Sequence, residues 1–479
     1  MGPLYRQVAA EIVKHIEQGI YAPSERLPGV RGLARSRGVS IATVVAAYQL
    51  LTDEGYIDAR PRSGFYVRAR HTSQIAANPA AKATAPRLVT GQQMAMALIK
   101  ASNDPRIVQL GAAVPDPSFL PTKAIGRALS QVMRTNRLQA SAYMMPPGAA
   151  ELRRQIARRM RSSGASVSTD DIVITTGCQE ALSLALRAVT RTGDVIAIES
   201  PAFYGLLHVL ESLGLEALEI PAHPSDGISL EALKSALERW PIKACVMSPN
   251  VSNPLGYCMS NDNKLALIRL LGEHNIPLIE DDVYGDLAFS GRRLSTCKGL
   301  APQADILYCS SFSKSLSPGL RIGWIAAGRH HERVEYLKYV SSIASPTAPQ
   351  LAVADLLASG RYERYLREVR GKYQSAVARM SAAVVTIFPE GTRISQPQGG
   401  FLLWVELPGG TDSMALARSA LQSGVSIAPG PLFSASGKFG NFMRLSCARL
   451  WDARLEKALL ALAKLGSITN GGQPARRES

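Results

Sequence analysis

The sequence predicts an α/β protein with a small N-terminal head and a larger C-terminal body. At 479 residues the chain is longer than one hydrophobic core usually serves, so two or more domains are expected. Beyond about residue 106, helical stretches alternate with short apolar strands, as at 171–175, 195–198, 244–247 and 277–280. This alternation is typical of a mostly parallel sheet that is covered on both faces.

A stretch rich in Ala, Thr, Pro and Asn at residues 72–90 suits an exposed connection between the two parts. We therefore expect the head over residues 1–70, a linker over 71–105, the body over 106–468 and a disordered tail over 469–479.

The composition is that of an ordinary globular protein, with 46% hydrophobic and 19% charged residues. No apolar run reaches the roughly 18 residues that a membrane span needs, and the N-terminus lacks the apolar stretch of a secretory signal. We therefore expect a cytoplasmic protein without a membrane partner. The six cysteines form no CxxC pair and are expected to be reduced thiols rather than a disulfide frame or metal ligands. They are Cys178, Cys245, Cys258, Cys297, Cys309 and Cys447.

The net charge of +16 favours a polyanionic partner such as nucleic acid or anionic lipid. Between Asp58 and Asp104 the chain has no acidic residue, whereas seven lysines and arginines fall inside that interval. This distribution fits a basic segment that contacts DNA and continues into a basic tether. It fits a solvated linker equally well.

The head has the pattern of three helices followed by a hairpin. Val8, Ile12 and Ile16 form an apolar stripe on the first helix, and a short second helix is expected over 32–37, ended by Gly38. Ser40 is a good N-cap for a third helix. The apolar positions of that helix are Val44, Ala47, Tyr48 and Leu51, and residues 56–67 read as a two-stranded hairpin.

This order is the outline of a winged helix-turn-helix, although other three-helix bundles show similar periodicity. In a winged helix-turn-helix the third helix enters the major groove, with Ser40 and Thr43 near its base-facing end. Five arginines are candidates for phosphate contacts, with Ser63 and Gly64 at the turn of the hairpin. They are Arg26, Arg31, Arg35, Arg60 and Arg62.

The amino-acid sequence of residues 26–67 closely resembles the winged head of GntR-type regulators. That family usually reads Leu-Pro-Ser-x-Arg, followed by Val-Ser-Arg-x-Thr-Val. In this chain Gly29 stands where the family has Ser, and Ile41 stands where it has Arg. The resemblance implies DNA binding, and these departures affect the base contacts rather than the fold.

One lysine of the body stands out, in the segment Ser310-Ser-Phe-Ser-Lys314. A lysine in a loop of small residues, with Arg321 seven residues on, suits a Schiff-base amine beside a phosphate. A surface lysine in a serine-rich loop is the alternative. The strand ending at Gly177 and the helix after it form a potential anion cradle, because free backbone N–H groups point outward there.

Four further residues are candidates for the same site, each with an ordinary structural alternative. Asp281 ends an apolar strand, where sites of α/β sheets gather, and it could instead be a helix cap. Asn253 lies in a tight turn that turn chemistry alone would explain. Tyr204 could stack on a ring or simply pack, and Arg444 could bind a carboxylate or form a surface salt bridge.

Together these residues occur in the order and spacing of fold-type I aminotransferases, which the chain resembles from about residue 108 to 465. The resemblance implies a PLP-dependent aminotransferase body with a mostly parallel central sheet and a smaller C-terminal α+β subdomain. Lys314 would form the Schiff base with pyridoxal 5′-phosphate, and Asp281 would pair with the pyridine nitrogen. Asn253 and Tyr284 would hold the phenolic oxygen, while Tyr204 stacks on the ring.

The resemblance also assigns the phosphate and carboxylate ends of the site. Arg444 would bind the carboxylate of an amino acid. Tyr143 resembles the tyrosine that reaches the phosphate of the neighbouring subunit, which implies a homodimer. Cys178 stands where a hydroxyl is common, and Asn-Pro-Leu-Gly replaces the usual Asn-Pro-Thr-Gly. The phosphate would be held by Gly177, Cys178, Gln179, Ser311, Ser313 and Arg321.

A GntR-type head on such a body resembles the MocR-type regulators. That layout implies a transcription regulator that binds operator DNA and senses pyridoxal 5′-phosphate or an amino compound through external aldimine formation. Such a protein is cytoplasmic, and it joins the bacterial nucleoid when it is bound to DNA. The alternative is a working aminotransferase with an accessory DNA-binding head, and residual transamination is compatible with the regulator.

Overall fold

The computed structural model describes residues 3–17, 21, 25–53, 56–60, 63–67, 74–75, 83, 85–89, 96, 100 and 104–469. In the head, three helices precede a two-stranded antiparallel hairpin whose register pairs Ile57 with Val67. The elements are α1 (Leu4–Glu17), α2 (Val30–Arg37), α3 (Ile41–Asp53), β1 (Ile57–Arg60) and β2 (Gly64–Val67). This is the predicted winged helix-turn-helix, with α2 beginning two residues earlier than expected.

The head has a hydrophobic core of its own. Val44 and Leu51 of α3 are fully buried against Ile12 of α1 and Leu33 of α2. Gly38 takes the left-handed conformation that ends α2 (φ 64°). The N-cap prediction for α3 is confirmed, because the backbone N–H of Thr43 donates to Oγ of Ser40 at 3.1 Å.

The body is built on a nine-stranded sheet of order β3-β7-β6-β9-β10-β11-β12-β5, with β8 paired to β7. Neighbours from β7 to β11 run parallel, whereas β12 runs antiparallel to both of its neighbours. The predicted, mostly parallel α/β body is therefore confirmed. The strands are β3 (Arg87–Leu88), β5 (Ile172–Thr175), β6 (Val195–Ser200), β7 (Glu216–His223), β8 (Gly227–Ile228), β9 (Ile242–Met247), β10 (Leu278–Asp281), β11 (Ile306–Ser311) and β12 (Gly323–Ala326).

Helices cover both faces of this sheet and bury the strands between two apolar layers. The helices up to the second sheet are α4 (Thr122–Thr135), α5 (Arg137–Ala140), α6 (Ala150–Arg161), α7 (Cys178–Val189), α8 (Tyr204–Leu213), α9 (Leu230–Arg239), α10 (Asn261–Glu273), α11 (Cys297–Leu300), α12 (His331–Ser342), α13 (Thr347–Ala358) and α14 (Arg361–Ile387).

The C-terminal subdomain has a four-stranded antiparallel sheet of order β13-β14-β17-β16, and β15 pairs with β4. The helices α14 and α16 pack on it around a separate apolar core. Its elements are β4 (Val108–Gln109), β13 (Arg393–Ile394), β14 (Leu402–Glu406), α15 (Ser413–Gln422), β15 (Val425–Ser426), β16 (Ala428–Pro429), β17 (Phe442–Ser446) and α16 (Ala453–Thr469).

Part of the segment expected as an exposed linker belongs to the body. Arg87 and Leu88 add an antiparallel edge strand beside Glu216 and Ala217, and Val89 is buried in an apolar cluster. A two-residue strand has no periodicity, so composition could not reveal it. Most of residues 71–103, and residues 470–479 of the expected tail, lie outside the described residues.

The topology brings several chain segments to one edge of the large sheet. β5, β6, β9, β10 and β11 all point their carboxyl ends to this edge, and the reversed strand β12 begins there. Ser311 is in register with Gly323, which in turn is in register with Thr175. Sites of open α/β sheets form at this edge.

Candidate functional site

Lys314 lies just beyond the carboxyl end of β11, at the shared edge. Its ammonium group donates a 2.6 Å hydrogen bond to the backbone carbonyl of Ala113. Desolvation, together with the positive charges of Arg444 and Arg321, lowers the pKa of Lys314 to about 8. A neutral, nucleophilic amine is therefore much more accessible here than on a surface lysine.

Asp281 is the last residue of β10, one strand away from Lys314. Its Oδ1 accepts a 3.3 Å hydrogen bond from the N–H of Val283, and the thiol of Cys178 lies 3.5 Å away. Desolvation raises the pKa of Asp281 to about 6, although both donors pull it down. A cationic partner at this carboxyl group would therefore be strongly favoured.

The turn from β5 into α7 lies beside Arg321. Gly177 precedes the helix with φ 85°, and an added Cβ would lie 2.6 Å from Nη2 of Arg321, so only glycine fits. The same nitrogen donates to the carbonyl of Thr176 at 2.7 Å. The N-terminus of α7 and an exposed guanidinium thus face one space, which suits an anion.

The serines and the glutamine assigned to the phosphate lie at the same edge. Oγ of Ser311 accepts the N–H of Ser313 at 3.3 Å, and both residues are buried. The side-chain amide of Gln179 donates to the carbonyl of Gly205 at 2.7 Å and so ties α7 to α8. The side chain of Gln179 is therefore engaged with protein, whereas the thiol of Cys178 faces Asp281.

Arg444 is fully buried on β17 of the second sheet. Its Nη1 donates to Oδ1 of Asn253 at 3.0 Å, and its Nη2 donates to the carbonyl of Gly111 at 2.6 Å. The guanidinium carbon lies 5.3 Å from the ring centroid of Tyr204 and 5.0 Å from that of Phe433. Among the described residues Arg444 has no carboxylate partner, which rules out a surface salt bridge and leaves a buried positive charge uncompensated.

Tyr284 completes the group of aromatic residues at the site. Its ring meets Phe401 edge-on at 5.7 Å, and its buried hydroxyl has no hydrogen-bond partner in the part of the chain that the structure describes. Desolvation raises the pKa of Tyr284, so the hydroxyl keeps its proton and remains a donor. A buried, unpaired donor at a site edge is typical of a position that a ligand completes.

Several contacts of the site had not been foreseen. The carbonyls of Ala113 and Gly111 carry no side-chain signal, because any residue can supply them. Glu199 is a buried carboxyl group, and it accepts the hydroxyl of Tyr257 and the N–H of Ser248. Glu199 thereby holds both ends of one loop against β6, and this loop carries Asn253. Desolvation raises its pKa to about 7. The position of Glu199, an acidic residue near the end of an apolar strand, was the sequence signal that could have identified it.

Tyr143 lies on the surface of the body. Its side chain is 74% exposed, and Leu138 and Met145 beside it in sequence are 83% and 48% exposed. The structure gives Tyr143 no hydrogen bond or ring contact with the described residues around Lys314.

In the head, the candidate arginines Arg26, Arg31 and Arg35 are exposed. The strand β1 ends at Arg60, whose side chain lies outside the described residues, as does all of Arg62. The hydroxyl of Ser63 bonds to that of Tyr66 at 2.7 Å. Gly64 begins β2 with φ 110°, which favours glycine at the turn of the hairpin.

The described residues contain neither a candidate metal cluster nor a candidate membrane span. No group of three or more His, Cys, Asp or Glu side chains in that part of the chain is arranged to hold a metal ion. No helix within the same ranges is both long enough and apolar enough to cross a membrane.

Two protein families match the chain, one for each part. The family described as aminotransferase class I and II matches residues 107–462, and the bacterial regulatory proteins of the gntR family match residues 4–67. The first match covers the second sheet and all strands of the large sheet except β3. The second covers the three helices and the hairpin of the head.

Individual relatives show the same division. The HTH-type transcriptional regulator YjiR of Escherichia coli is 40% identical over 444 residues, which are 93% of this chain and 94% of that protein. The regulatory protein MocR of Rhizobium meliloti is 26% identical over 89% of this chain and 86% of its own length. A kynurenine aminotransferase of Pyrococcus horikoshii superposes with a TM-score of 0.73 at 27% identity, covering 79% of this chain and 95% of the enzyme. With a GntR-type head followed by an aminotransferase class I and II body along one chain, the protein belongs to the MocR-type transcription regulators.

Proposed function

We propose that this regulator binds pyridoxal 5′-phosphate in its body and senses an amino compound there, and that the head reports the result to operator DNA. The observation that carries the proposal is that two basic side chains, Lys314 and Arg444, lie at one site. Lys314 has a lowered pKa, and Arg444 is a buried cation that pairs with no carboxylate among the described residues. The first suits attachment of an aldehyde, and the second suits the acid group of an amino acid.

The residues present fit pyridoxal 5′-phosphate. Gly177, Arg321 and the N-terminus of α7 would hold the phosphate, and the raised pKa of Asp281 marks a place for the protonated pyridine nitrogen. The unpaired hydroxyl of Tyr284 would donate to the phenolic oxygen. Tyr204 would lie against the ring. When bound, the cofactor supplies an aldehyde that exchanges one amine for another.

An amino acid effector would meet Arg444 with its carboxylate. The guanidinium already donates to Asn253 and to the carbonyl of Gly111, both of which are neutral acceptors. A carboxylate would compensate the buried charge, and charge-assisted hydrogen bonds are roughly twice as strong as neutral ones. The loop of Asn253 and the strand β17 would thus respond to the same ligand.

A ligand shifts DNA binding only if its affinity differs between the two states of the protein. We expect a coupling of about 1–3 kcal/mol, because one effector has to bias a separately folded head. Reciprocity then requires that operator DNA changes the affinity for the effector by the same factor.

We also propose that the protein is a homodimer. Tyr143, Leu138 and Met145 are exposed apolar residues of one short segment, and a second copy of the chain would cover them. In the proposed dimer, Tyr143 reaches the phosphate of the neighbouring subunit. Sedimentation of the protein with and without Tyr143→Ala measures this assembly, and a monomeric parent protein would exclude it.

The decisive experiment measures operator affinity with and without pyridoxal 5′-phosphate, across a panel of amino acids and amines. The DNA probe is the region upstream of the chain's own coding sequence, and transamination of the same panel is assayed in parallel. A change in affinity with one amino compound supports the regulator. Unchanged affinity together with rapid transamination would replace it by an aminotransferase with an accessory head.

A further inference from the structure

The helix α3 carries an uncharged, apolar surface on its exposed side. Ile41 and Val45, one turn apart, are 53% and 50% exposed. The residue that follows each of them, Ala42 and Ala46, is also exposed. The helix has no acidic residue in its first turn and no basic residue in its last. Exposed faces of helices are normally polar, so this surface has the character of an interface.

This surface faces away from the core of the head. The opposite side of α3 carries Val44, Ala47, Tyr48 and Leu51, each of which is fully buried. The apolar character of Ile41 and Val45 is therefore unnecessary for folding. In a helix-turn-helix the N-terminal residues of the second helix face the base edges, and both side chains lie in the first half of α3.

The hydroxyls near this surface are engaged with each other. Oγ of Ser40 lies 2.8 Å from Oγ1 of Thr43 and also accepts the N–H of Thr43. The second bond satisfies one of the free backbone N–H groups at the N-terminus of α3. The largest side chains left on the exposed side of the first turns are then aliphatic, whereas polar readout of guanine or adenine needs side chains that hydrogen-bond to bases.

The exposed arginines Arg31 and Arg35 on the preceding helix give the surroundings a positive charge that complements DNA phosphates. Within the major groove the one apolar group on a base edge is the C5-methyl of thymine. We propose that Ile41 and Val45 contact thymine methyl groups, so that the operator half-site carries thymine at the positions that these two residues face. This inference rests on the DNA-binding function proposed above.

The test uses duplexes that the full chain selects from a random-sequence library. The selected duplex is synthesised with thymine or with uracil, which lacks only the methyl group and keeps every hydrogen bond. Affinities of both duplexes are measured for the parent protein, Ile41→Ala, Val45→Ala and the double variant. Leu4→Ala is the matched control, because Leu4 is 51% exposed but lies on α1.

We expect uracil to lower the affinity of the parent protein about fourfold for each methyl in contact, which is the typical gain from burying one such group. The double variant binds both duplexes equally, and Leu4→Ala behaves as the parent protein does. Melting temperatures stay unchanged, because the substituted side chains are exposed.

Equal affinity of the parent protein for thymine and uracil duplexes would overturn the inference. So would variants that change the sedimentation of the protein but keep the parent ratio of the two affinities, since the surface would then bind a second copy of the chain. If the library yields no enriched duplex, the proposed DNA-binding function itself fails. Because this selection comes before the uracil comparison, its failure is distinguishable from failure of the thymine contact.

Discussion

Nη1 of Arg444 donates a 3.0 Å hydrogen bond to Oδ1 of Asn253, although the two residues are 191 positions apart in the chain. The first lies on the second sheet, and the second lies on a loop beyond β9 of the large sheet. The contact joins the two sheets through a buried cation whose hydrogen-bond acceptors, in the part of the chain that the structure describes, are neutral. A ligand that brings a carboxylate to Arg444 therefore acts on both sheets at once.

Arg444→Ala is expected to weaken binding of the amino compound by about tenfold to a hundredfold, the usual worth of a charged hydrogen bond (about 1.5–3 kcal/mol). Attachment of pyridoxal 5′-phosphate to Lys314 should persist, because in the proposed site Arg444 contacts the carboxylate of the amino compound and not the cofactor. Titration of the cofactor absorbance with the amino compound measures both. Arg393→Ala is the control, since Arg393 lies in the same sheet and pairs with Glu406. Equal affinities of the two variants would contradict the assignment.

Attachment of the cofactor should depend on pH through Lys314. The neutral amine is the nucleophile, so the attachment rate of the cofactor-free protein should rise as pH passes through about 8 and then level off. Arg444→Ala should move this midpoint upward, because the charge of Arg444 lowers the pKa of Lys314. Lys314→Ala should abolish attachment, whereas Lys438→Ala should not. Borohydride reduction followed by peptide mapping checks the position, and cofactor fixed on another lysine would refute it.

Asp281 should destabilise the cofactor-free protein at neutral pH. Its folded pKa of about 6 lies above the usual 3.8, so the protonated form contributes stability that is present at low pH and lost as pH rises through about 6. Asp281→Asn should therefore raise the melting temperature above pH 6 and have little effect near pH 4. The shift of about two pKa units corresponds to at most about 3 kcal/mol.

Asp286 provides a control of opposite sign. The ion pairs with Arg159 and Arg293 lower its pKa to about 2, although burial opposes them. Its ionised form stabilises the fold above the unfolded pKa, and this stability is lost as pH falls through about 2. Asp286→Asn should lower the melting temperature at neutral pH. If both variants moved the melting temperature in the same direction, the electrostatic account of Asp281 would be wrong.

The sequence predicted the two folds because each rests on long, repeated signals. The stripe on α3 and the alternation of strands and helices extend over many residues, so local exceptions do not hide them. Lys314, Asp281 and Arg444 are candidates from the sequence because the proposed chemistry requires particular side chains in a particular order. The positions of their side chains within the site had no such signal.

The partners of those side chains were much less predictable. Lys314 and Arg444 donate to the carbonyls of Ala113 and Gly111, which any residue could offer. The thiol of Cys178 faces Asp281, and only the packing of α7 against β10 decides that direction. The residue pattern marks Ile41 only as standing where the GntR-type family has Arg, whereas the packing of α3 decides that Ile41 and Val45 are both exposed.

The salt dependence of DNA binding should separate the arginines of α2. Arg31 and Arg35 are exposed and form no ion pair within the described residues, so each is available to a phosphate, whereas Arg37 pairs with Glu11. Releasing one counterion contributes about 0.9 to the slope of log affinity against log salt. Arg31→Ala and Arg35→Ala should each reduce the slope by about that amount, at any operator sequence. Arg37→Ala should leave it unchanged, because its charge is already compensated. Binding curves over a range of salt concentrations measure the slopes, and three indistinguishable variants would place α2 away from the DNA backbone.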